Sequence, residues 1–189
     1  MIGSIFLAFF LSPLLLCISI AIKLQDGGTV FFRRRVVGVN GIYFDAFKFH
    51  TMVQNADKIL DNNPDLMAEF KKNYKIKNDP RITRMGNFLR KTSFDELPQL
   101  FNVIKGQMSL VGPRMVTPEE LERYGPFKEK RIHFKPGITG YWQVNGRQEV
   151  DYNERIRMDM FYVRHWNIWL DIKILFKTVL KVIRMEGAY

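Results

Sequence analysis

The sequence has few of the residues that build redox and metal sites. Its 189 residues include one cysteine, Cys17, and three histidines that are far apart, His50, His133 and His165. A single cysteine excludes an internal disulfide and a cysteine-rich zinc site. Three scattered histidines are more typical of packing or surface positions than of metal ligands.

Several nucleotide-handling motifs are also absent. The sequence contains neither G-x-x-x-x-G-K-[ST] nor G-x-G-x-x-G, so it indicates neither a P-loop NTPase nor a Rossmann dinucleotide fold. It has no D-x-D pair, which argues against the common metal-dependent glycosyltransferase site.

Negative charge is scarce relative to positive charge. There are 29 Lys and Arg against 19 Asp and Glu, which gives a net charge of +10. Such an excess indicates anionic partners, namely nucleic acid, phosphorylated small molecules or an acidic membrane face. The length and the 47% hydrophobic content predict one compact domain with a real core.

Residues 1–22 carry no charge at all, which predicts a membrane segment. A cleaved signal peptide fits poorly, because a basic start and a small-residue cleavage site are missing. At 1.5 Å per residue the run is about 33 Å long, enough to cross a bilayer. Lys23 and the Arg33-Arg34-Arg35 run follow it, and basic residues on that side place residues 23–189 in the cytosol as the second domain.

Ser12-Pro13 interrupts the apolar run at its middle. Proline removes a backbone donor and frees the carbonyl of Phe9, so a kink is expected there. In lipid that carbonyl needs a partner, and the Ser12 hydroxyl is a candidate. Two arrangements are open on physical grounds: a kinked helix that spans the membrane, or a hairpin that dips in and returns.

The remaining chain predicts an α+β fold that is mostly helical. Residues 29–49 read as a β-hairpin around a Gly-Val-Asn-Gly turn. Helical segments are expected at 50–76 with a break near 62–64, at 81–91, at 98–105, and from 151 to the C-terminus with a break near Asn167. The glycine-rich loops at 111–114 and 135–147 are where a site is expected.

The last helix has a basic stripe and an apolar face. The stripe comprises Lys173, Lys177, Lys181 and Arg184, and the apolar face includes Ile172, Leu175, Phe176, Val179 and Ile183. Trp166 and Trp169 lie at its start. A basic amphipathic helix with tryptophans favours a position at the membrane interface over one packed on the core.

Asp95 and Glu96 are adjacent carboxylates in the stretch RKTSFDELPQL. Ser93 and Glu96 match a capping box, and spacing alone favours that structural role. Pro98 weakens it, because proline prefers the first turn of a helix and could itself open one. The second interpretation is chemical: one acid attacks phosphorus while the other holds Mg²⁺.

The basic residues near this dyad agree with a phosphate-handling site. Those in or beside the loops are Arg81, Arg84, Arg90, Lys91, Arg114, Lys135 and Arg147. Arg114 follows Gly112-Pro113 in a rigid turn and could present its guanidinium to a phosphate.

Several long stretches, in this order, resemble one family. They are SP at 12–13, QDGGTVFFRRRVVG, FKFHTM, LRKTSFDELPQLFNVIKGQMSLVGPR, KPGITGYWQVNGR and DMFYVRHWNIWLDIKILFKT. Together they resemble the bacterial sugar transferases, which are monotopic polyprenyl-phosphate phosphoglycosyl transferases, over nearly the whole chain. The stretch ADKILDNNPDLMAEFKKNYKIKNDPRITRMGNFLRK and the closing EGAY look most like the undecaprenyl-phosphate galactose phosphotransferase branch.

The resemblance implies a fold and a reaction. The fold would be a re-entrant membrane helix hairpin and a small cytosolic catalytic domain with a β-hairpin and amphipathic interface helices. The reaction would move hexose-1-phosphate, galactose before glucose, from a UDP-sugar to undecaprenyl phosphate with Mg²⁺, releasing UMP. It would be the first membrane step of polysaccharide or O-antigen assembly, at the cytoplasmic face of the bacterial inner membrane.

The resemblance also implies residue roles. Asp95 matches the nucleophile and Glu96 the magnesium ligand, and Ser12 and Pro13 match the break of the re-entrant helix. Positions associated with the site, by binding phosphates or holding loops, are matched by Lys48, Arg90, Arg114, Arg147 and Asp159. His50 departs from the pattern, because relatives commonly have arginine there.

Two questions stay open at the level of sequence. A homo-oligomer is neither indicated nor excluded. The alternative function is a non-catalytic, membrane-associated binder of anionic lipid or nucleic acid, although the aromatic and basic signatures of RNA binding are absent, so no nucleic-acid partner is expected.

Overall fold

A computed structural model describes residues 2–74, 76, 78–146 and 150–184 of the chain. These residues form a mostly helical α+β fold, as predicted. The helices are α1 (Ile2–Asp26), α2 (Ala56–Asp61), α3 (Pro64–Asn73), α4 (Arg84–Thr92), α5 (Gln99–Ile104), α6 (Pro118–Glu122), α7 (Lys128–Ile132), α8 (Tyr141–Asn145), α9 (Tyr152–His165) and α10 (Ile168–Ile183). The strands are β1 (Phe31–Val37), β2 (Tyr43–Phe49), β3 (Ser109–Val111) and β4 (Gly137–Thr139).

Helix α1 runs for 25 residues with Pro13 inside it. The Ser12 hydroxyl donates a 2.7 Å hydrogen bond to the carbonyl of Phe9, so the candidate partner named from the sequence is the one observed. The segment Gly3–Gln25 is long and apolar enough to cross a membrane. The chain therefore forms one apolar helix here, with Pro13 near its middle.

One face of α1 packs on the rest of the protein. Ile18 and Ile22 are buried in a cluster with Phe49 of β2 and Leu89 of α4. Phe9 and Phe10, in contrast, are each 80% exposed. The second half of α1 thus belongs to the core of the domain, while the outward side of the helix is apolar and unburied.

The predicted hairpin is confirmed as β1 and β2, which pair antiparallel from Phe31↔Phe49 to Val37↔Tyr43. A short 3-10 turn at Val39–Gly41 connects the strands. Its Asn40 has φ 55°, a left-handed conformation that asparagine tolerates better than most residues. The buried face of the hairpin packs on Val103, Met108 and Met115 and gives the domain its central apolar cluster.

A second, parallel strand pair was not predicted. β3 and β4 pair through Ser109↔Gly137 and Val111↔Thr139. The backbones approach so closely that a Cβ on Gly137 would collide with the backbone of Gly112. Glycine at these places therefore serves close packing, and it brings the two loops of the sequence analysis side by side.

The other predicted helices are confirmed with shifted bounds. The break near 62–64 is real, because Asn63 caps α3 by accepting a hydrogen bond from the amide of Leu66 and Pro64 opens the helix. The break at Asn167 has the same cause, since its side chain accepts from the amide of Leu170. Residues 50–55, expected to be helical, precede α2 instead.

Helix α10 is attached to the body by a narrow contact. Ile174 is 1% exposed and packs with Val111 and Tyr162. Trp169, Phe176 and Ile183 are 70%, 67% and 71% exposed. A helix with this much exposed apolar surface is typical of one that meets another apolar phase.

Candidate active site

The dyad lies in a sharp reversal between two helices. α4 ends at Thr92, Ser93 takes the left-handed conformation with φ 60°, and Phe94–Glu96 form a 3-10 turn. Pro98 then precedes α5 as its N-cap residue. The predicted capping box is wrong, because Ser93 closes α4 and its side chain makes no capping hydrogen bond within the described part of the chain. Pro98 opens the next helix, as the alternative interpretation expected.

Lys48 meets the dyad from the β-hairpin. Its Nζ lies 2.5 Å from Oε1 of Glu96 and 3.9 Å from Oδ2 of Asp95. Lys48 lies two residues after the buried Ala46 and four after the buried Phe44 in β2. Side chains two residues apart in a strand point to the same face, so all three share one face of β2. The structure thus brings together three residues that the resemblance associated with one site.

Asp95 is the buried member of the dyad, with 8% of its surface exposed. Burial raises its pKa from 3.8 to about 6, because a charged carboxylate is disfavoured away from water. The positive charge of Lys48 opposes this rise in pKa, the negative charge of Glu96 adds to it, and Arg90 opposes it more weakly. Asp95 is consequently ionised above pH 6 and more basic than an ordinary aspartate, which suits a nucleophile.

Arg90 reaches the same place from α4. Its Nε donates a 3.0 Å hydrogen bond to the hydroxyl of Thr51. Burial lowers the pKa of Arg90, and the charge of Asp95 is the largest of the effects that raise it again. Because arginine stays protonated in proteins, Arg90 provides a fixed positive charge beside the acids.

Asn102, which the sequence analysis did not single out, holds this arrangement together. It is 0% exposed, and its side chain pairs with β2 much as a neighbouring strand would. Its Oδ1 accepts from the amide of Phe47 at 3.0 Å, and its Nδ2 donates to the carbonyl of Asp45 at 2.8 Å. The contact fixes α5, and the turn before it, against the residue next to Lys48. A buried asparagine in an apolar helix was the signal that could have found it.

Arg114 and Asp159 form a second cluster. Asp159 is 1% exposed and accepts hydrogen bonds from the amide of Arg114, at 3.1 Å, and from the hydroxyl of Tyr124, at 2.7 Å. Arg131 donates to the carbonyl of Arg114 at 2.5 Å. Burial raises the pKa of Asp159. Asp159 therefore holds the 111–114 loop, which is one of the two roles that the resemblance allowed.

The Arg114 side chain lies over the ring of Trp142, 5.1 Å from its centroid. Arg155 stacks on the same ring, also at 5.1 Å. Val116 accepts a hydrogen bond from the amide of Val37, at the turn end of the hairpin, whereas Lys48 lies near its open end. The hairpin thus connects the Arg114 cluster to the dyad.

The other predicted site residues have varied positions. Arg81 is buried in a 2.7 Å ion pair with Asp79, which indicates a structural role. His50 hydrogen bonds to the hydroxyl of Thr29 at 2.9 Å. Arg147 falls outside the described residues. A capping box does occur elsewhere, at Thr117 and Glu120, and was missed.

The donor set at the dyad fits a magnesium ion. Among the described residues no three His, Cys, Asp or Glu side chains come together as a complete metal cage. Mg²⁺ rarely needs such a cage, since it retains waters and is commonly bound by one or two carboxylates together with substrate phosphates. The adjacent carboxylates of Asp95 and Glu96 match that requirement, and Glu96 is the more exposed of the two.

The comparisons with known proteins agree with the motifs. The family model described as "Bacterial sugar transferase" matches residues 1–185. The undecaprenyl-phosphate galactose phosphotransferase of Salmonella typhimurium is 48% identical over 190 residues, which are 98% of this chain and 40% of that protein. The exopolysaccharide production protein ExoY of Sinorhizobium fredii is 43% identical over 95% of this chain and 81% of its own length.

A third relative is the UDP-glucose:undecaprenyl-phosphate glucose-1-phosphate transferase of Escherichia coli, 42% identical over 95% of this chain and 38% of that protein. The chain thus spans about 40% of the length of the Salmonella relative. Matches of this extent confirm the resemblance drawn from the motifs. The chain belongs to the bacterial sugar transferase family.

Proposed function

We propose that this chain transfers hexose-1-phosphate from a UDP-hexose to undecaprenyl phosphate, and that Asp95 carries the phosphosugar between them. The observation that carries the proposal is a buried carboxylate with a raised pKa, flanked by Glu96 and faced by Lys48 and Arg90. A structural ion pair does not need two adjacent acids in a turn, whereas displacement at phosphorus does need an ionised oxygen in a cationic setting.

In the first step an Oδ of Asp95 attacks the β-phosphorus of the UDP-hexose. A new bond forms between this oxygen and phosphorus, and the bond from phosphorus to the bridging oxygen breaks. The electron pair leaves with UMP. Lys48 and Arg90 stabilise the negative charge that spreads over the phosphoryl oxygens.

In the second step a phosphate oxygen of undecaprenyl phosphate attacks the same phosphorus. The bond to Asp95 breaks and its carboxylate is restored, while a diphosphate link forms in the lipid product. Glu96, with Asp95 beside it, would hold Mg²⁺, which neutralises diphosphate charge when bound. A covalent intermediate lets one site serve a soluble donor and a lipid acceptor in turn.

The exposed apolar surfaces of α1 and α10 support a site at the membrane, and the basic residues that follow α1 favour its cytoplasmic face. α1 packs one face on the domain core along its second half, and Pro13 lies at its middle, where the resemblance places the break of a re-entrant helix. We therefore favour the re-entrant arrangement. α10 offers Trp169 and Phe176 to the membrane interface.

The relatives point to the sugar class. The Salmonella relative is named for galactose and the Escherichia coli relative for glucose. We favour galactose and take glucose as the next candidate. A non-catalytic binder of anionic lipid would use the basic face of α10, but it gives no reason for a buried carboxylate dyad.

The test is UMP release by the full chain in lipid nanodiscs with Mg²⁺, undecaprenyl phosphate and each UDP-hexose in turn. Wild type should release UMP with UDP-galactose or UDP-glucose, and Asp95→Asn should lose activity about a thousandfold or more, as expected for a nucleophile. Asp45→Asn, which removes an acid from a surface ion pair with Arg35, is the matched control. Normal turnover by Asp95→Asn would overturn the assignment.

A further inference from the structure

An open depression of about 600 Å³ lies between the end of α1 and the exposed side of α4. Its walls are Gln25, Arg84, Met85 and Phe88. The two helices are tied together there, because the side-chain oxygen of Gln25 accepts a hydrogen bond from the amide of Met85 at 3.3 Å. The depression is therefore a built feature of the α1–α4 junction.

The walls combine apolar surface with one cation. Phe88 is 50% exposed and Met85 is partly exposed, which gives the depression an apolar floor. Arg84 is exposed, and its side chain makes no hydrogen bond or ion pair with any residue that the structure describes. An apolar floor beside an exposed guanidinium matches a ligand that has both a hydrocarbon chain and an anionic head.

The depression also connects lipid to the dyad. Gln25 is the last residue of the segment long and apolar enough for a membrane. On the other side, the ring of Phe88 contacts that of Phe94 edge to face, with centroids 6.5 Å apart, and Phe94 directly precedes Asp95. Apolar surface thus continues from the membrane helix to the turn that carries the nucleophile.

We infer that this depression is the entry site for the polyprenyl phosphate acceptor. Arg84 captures the phosphate, and the first isoprene units lie on Met85 and Phe88. Arg84 is eight residues before the end of α4, about 12 Å along the axis, so it holds the head before the reaction and not at the reacting position. This inference rests on the proposed function, whose second step needs such an acceptor.

The two half-reactions separate this inference from the proposed function. Without acceptor, a rapid burst of UMP reports formation of the phosphosugar-enzyme; adding undecaprenyl phosphate then reports the second step alone. For Arg84→Gln and Phe88→Ala in nanodiscs, we expect a UMP burst within about twofold of wild type and an acceptor KM raised about tenfold, because the first variant loses a charged contact and the second an apolar one. Arg84→Lys should recover much of the acceptor affinity, because it keeps the charge.

Two matched variants control for charge and for apolar area. Lys58→Gln removes an exposed cation from α2, and Ile42→Ala removes an exposed side chain from the hairpin turn. Both should leave the acceptor KM unchanged.

Three results would overturn the inference. They are an unchanged acceptor KM in Arg84→Gln, a loss confined to the UMP burst, and an effect that disappears in nanodiscs free of anionic phospholipid. The last would mean that Arg84 contacts membrane headgroups and not the acceptor. Failure of the proposed function looks different, since wild type itself would then give no UMP burst.

Discussion

At the scale of single residues, the reactivity of Asp95 is set by four competing influences. Burial favours its neutral form, and the adjacent Glu96 favours it further, while Lys48 and Arg90 favour the charged form. The balance leaves a pKa of about 6, so the carboxylate is ionised at neutral pH without being stabilised as strongly as a surface acid. The pH dependence of the first step should therefore show an acid limb near pH 6, set by Asp95 together with the charged groups beside it.

Lys48→Met should move that pH dependence. Loss of a facing cation raises the pKa of Asp95, so the acid limb of the UMP burst should shift from near pH 6 to higher pH by about one pH unit. Rapid-quench measurement of the burst between pH 5 and pH 9 tests this. Lys105→Met removes a cation that lies over the ring of Phe47, and it should leave the midpoint in place. An unmoved midpoint in Lys48→Met would show that Lys48 does not act on Asp95.

Asp95→Asn should stabilise the protein at neutral pH while removing activity. The pKa of Asp95 is about 6 in the folded protein, whereas an ordinary aspartate has a pKa of 3.8. The fold therefore favours the protonated form of this acid. The stabilising contribution of that acid is complete below pH 3.8 and is lost as pH rises through 6. At pH 7.5 the neutral asparagine should gain up to about 3 kcal/mol over wild type, a gain that fades toward pH 4. Thermal unfolding in detergent at both pH values measures it, and a lower Tm for Asp95→Asn at pH 7.5 would contradict the burial of a charged Asp95.

At the scale of elements, the site depends on α5 being fixed against β2. Asn102 provides that attachment with two hydrogen bonds to the backbone of β2, and it also bonds to the side chain of Gln107 at 2.8 Å. The dyad comes from the turn before α5, and Lys48 follows Phe47 in the strand. A small shift between these elements would separate Lys48 from Glu96.

Asn102→Ala should loosen this attachment. It leaves the amide of Phe47 and the carbonyl of Asp45 without these partners in a partly buried place, at a cost of up to about 1–3 kcal/mol for each group. We expect a lower Tm and, in the folded fraction, a UMP burst whose pH midpoint moves upward as Lys48 withdraws from the dyad. Asn145→Ala, at a more exposed asparagine of α8, is the control. A lower Tm with an unchanged pH midpoint would limit Asn102 to a structural role.

The elements that the sequence predicted well are those with strong local signals. The hairpin around Gly38–Gly41, the break at Asn63-Pro64 and the break at Asn167 were all predicted, because each depends on neighbouring residues. The strand pair β3–β4 was missed, since its three-residue strands are stabilised by distant partners across Gly112 and Gly137. Ser93 was misread because spacing cannot show that α4 continues to Thr92 and reverses through a left-handed residue.

The candidate site was also predictable only where its signal lies in neighbouring residues. Adjacent acids beside arginines indicated phosphate chemistry, and the resemblance added Lys48. The sequence pattern and the resemblance could not show that Asn102 positions the dyad. They also could not show that Asp159 faces the loop backbone and not a phosphate. Those roles follow from packing between segments that lie 45 or more residues apart.

At the scale of the whole molecule, α1 and α10 both expose apolar surface that water would not favour. The re-entrant arrangement that we propose keeps both ends of α1 on the cytosolic side. It can be tested in a Cys17→Ser background with single cysteines at Gly3 and Ile42. Gly3 has no heavy atom within 4 Å of an added Cβ, and Ile42 is 70% exposed, so both changes should be tolerated.

For a re-entrant α1, a thiol reagent that cannot cross the membrane should label neither Gly3→Cys nor Ile42→Cys in intact spheroplasts, and both after permeabilisation. For a spanning α1, the reagent should label Gly3→Cys alone before permeabilisation. The Ile42→Cys protein controls for leakage, because the hairpin turn lies on the cytosolic side in either arrangement.

The proposed covalent step requires the carboxylate of Asp95, the elements that hold it and a position of the site at the membrane. The most direct test is mass spectrometry of the full chain incubated with Mg²⁺ and a UDP-hexose, without acceptor. We predict a hexose-phosphate adduct on the peptide that contains Asp95, lost on addition of undecaprenyl phosphate as the lipid product forms. Product formation with no adduct at Asp95 at any time would contradict the mechanism.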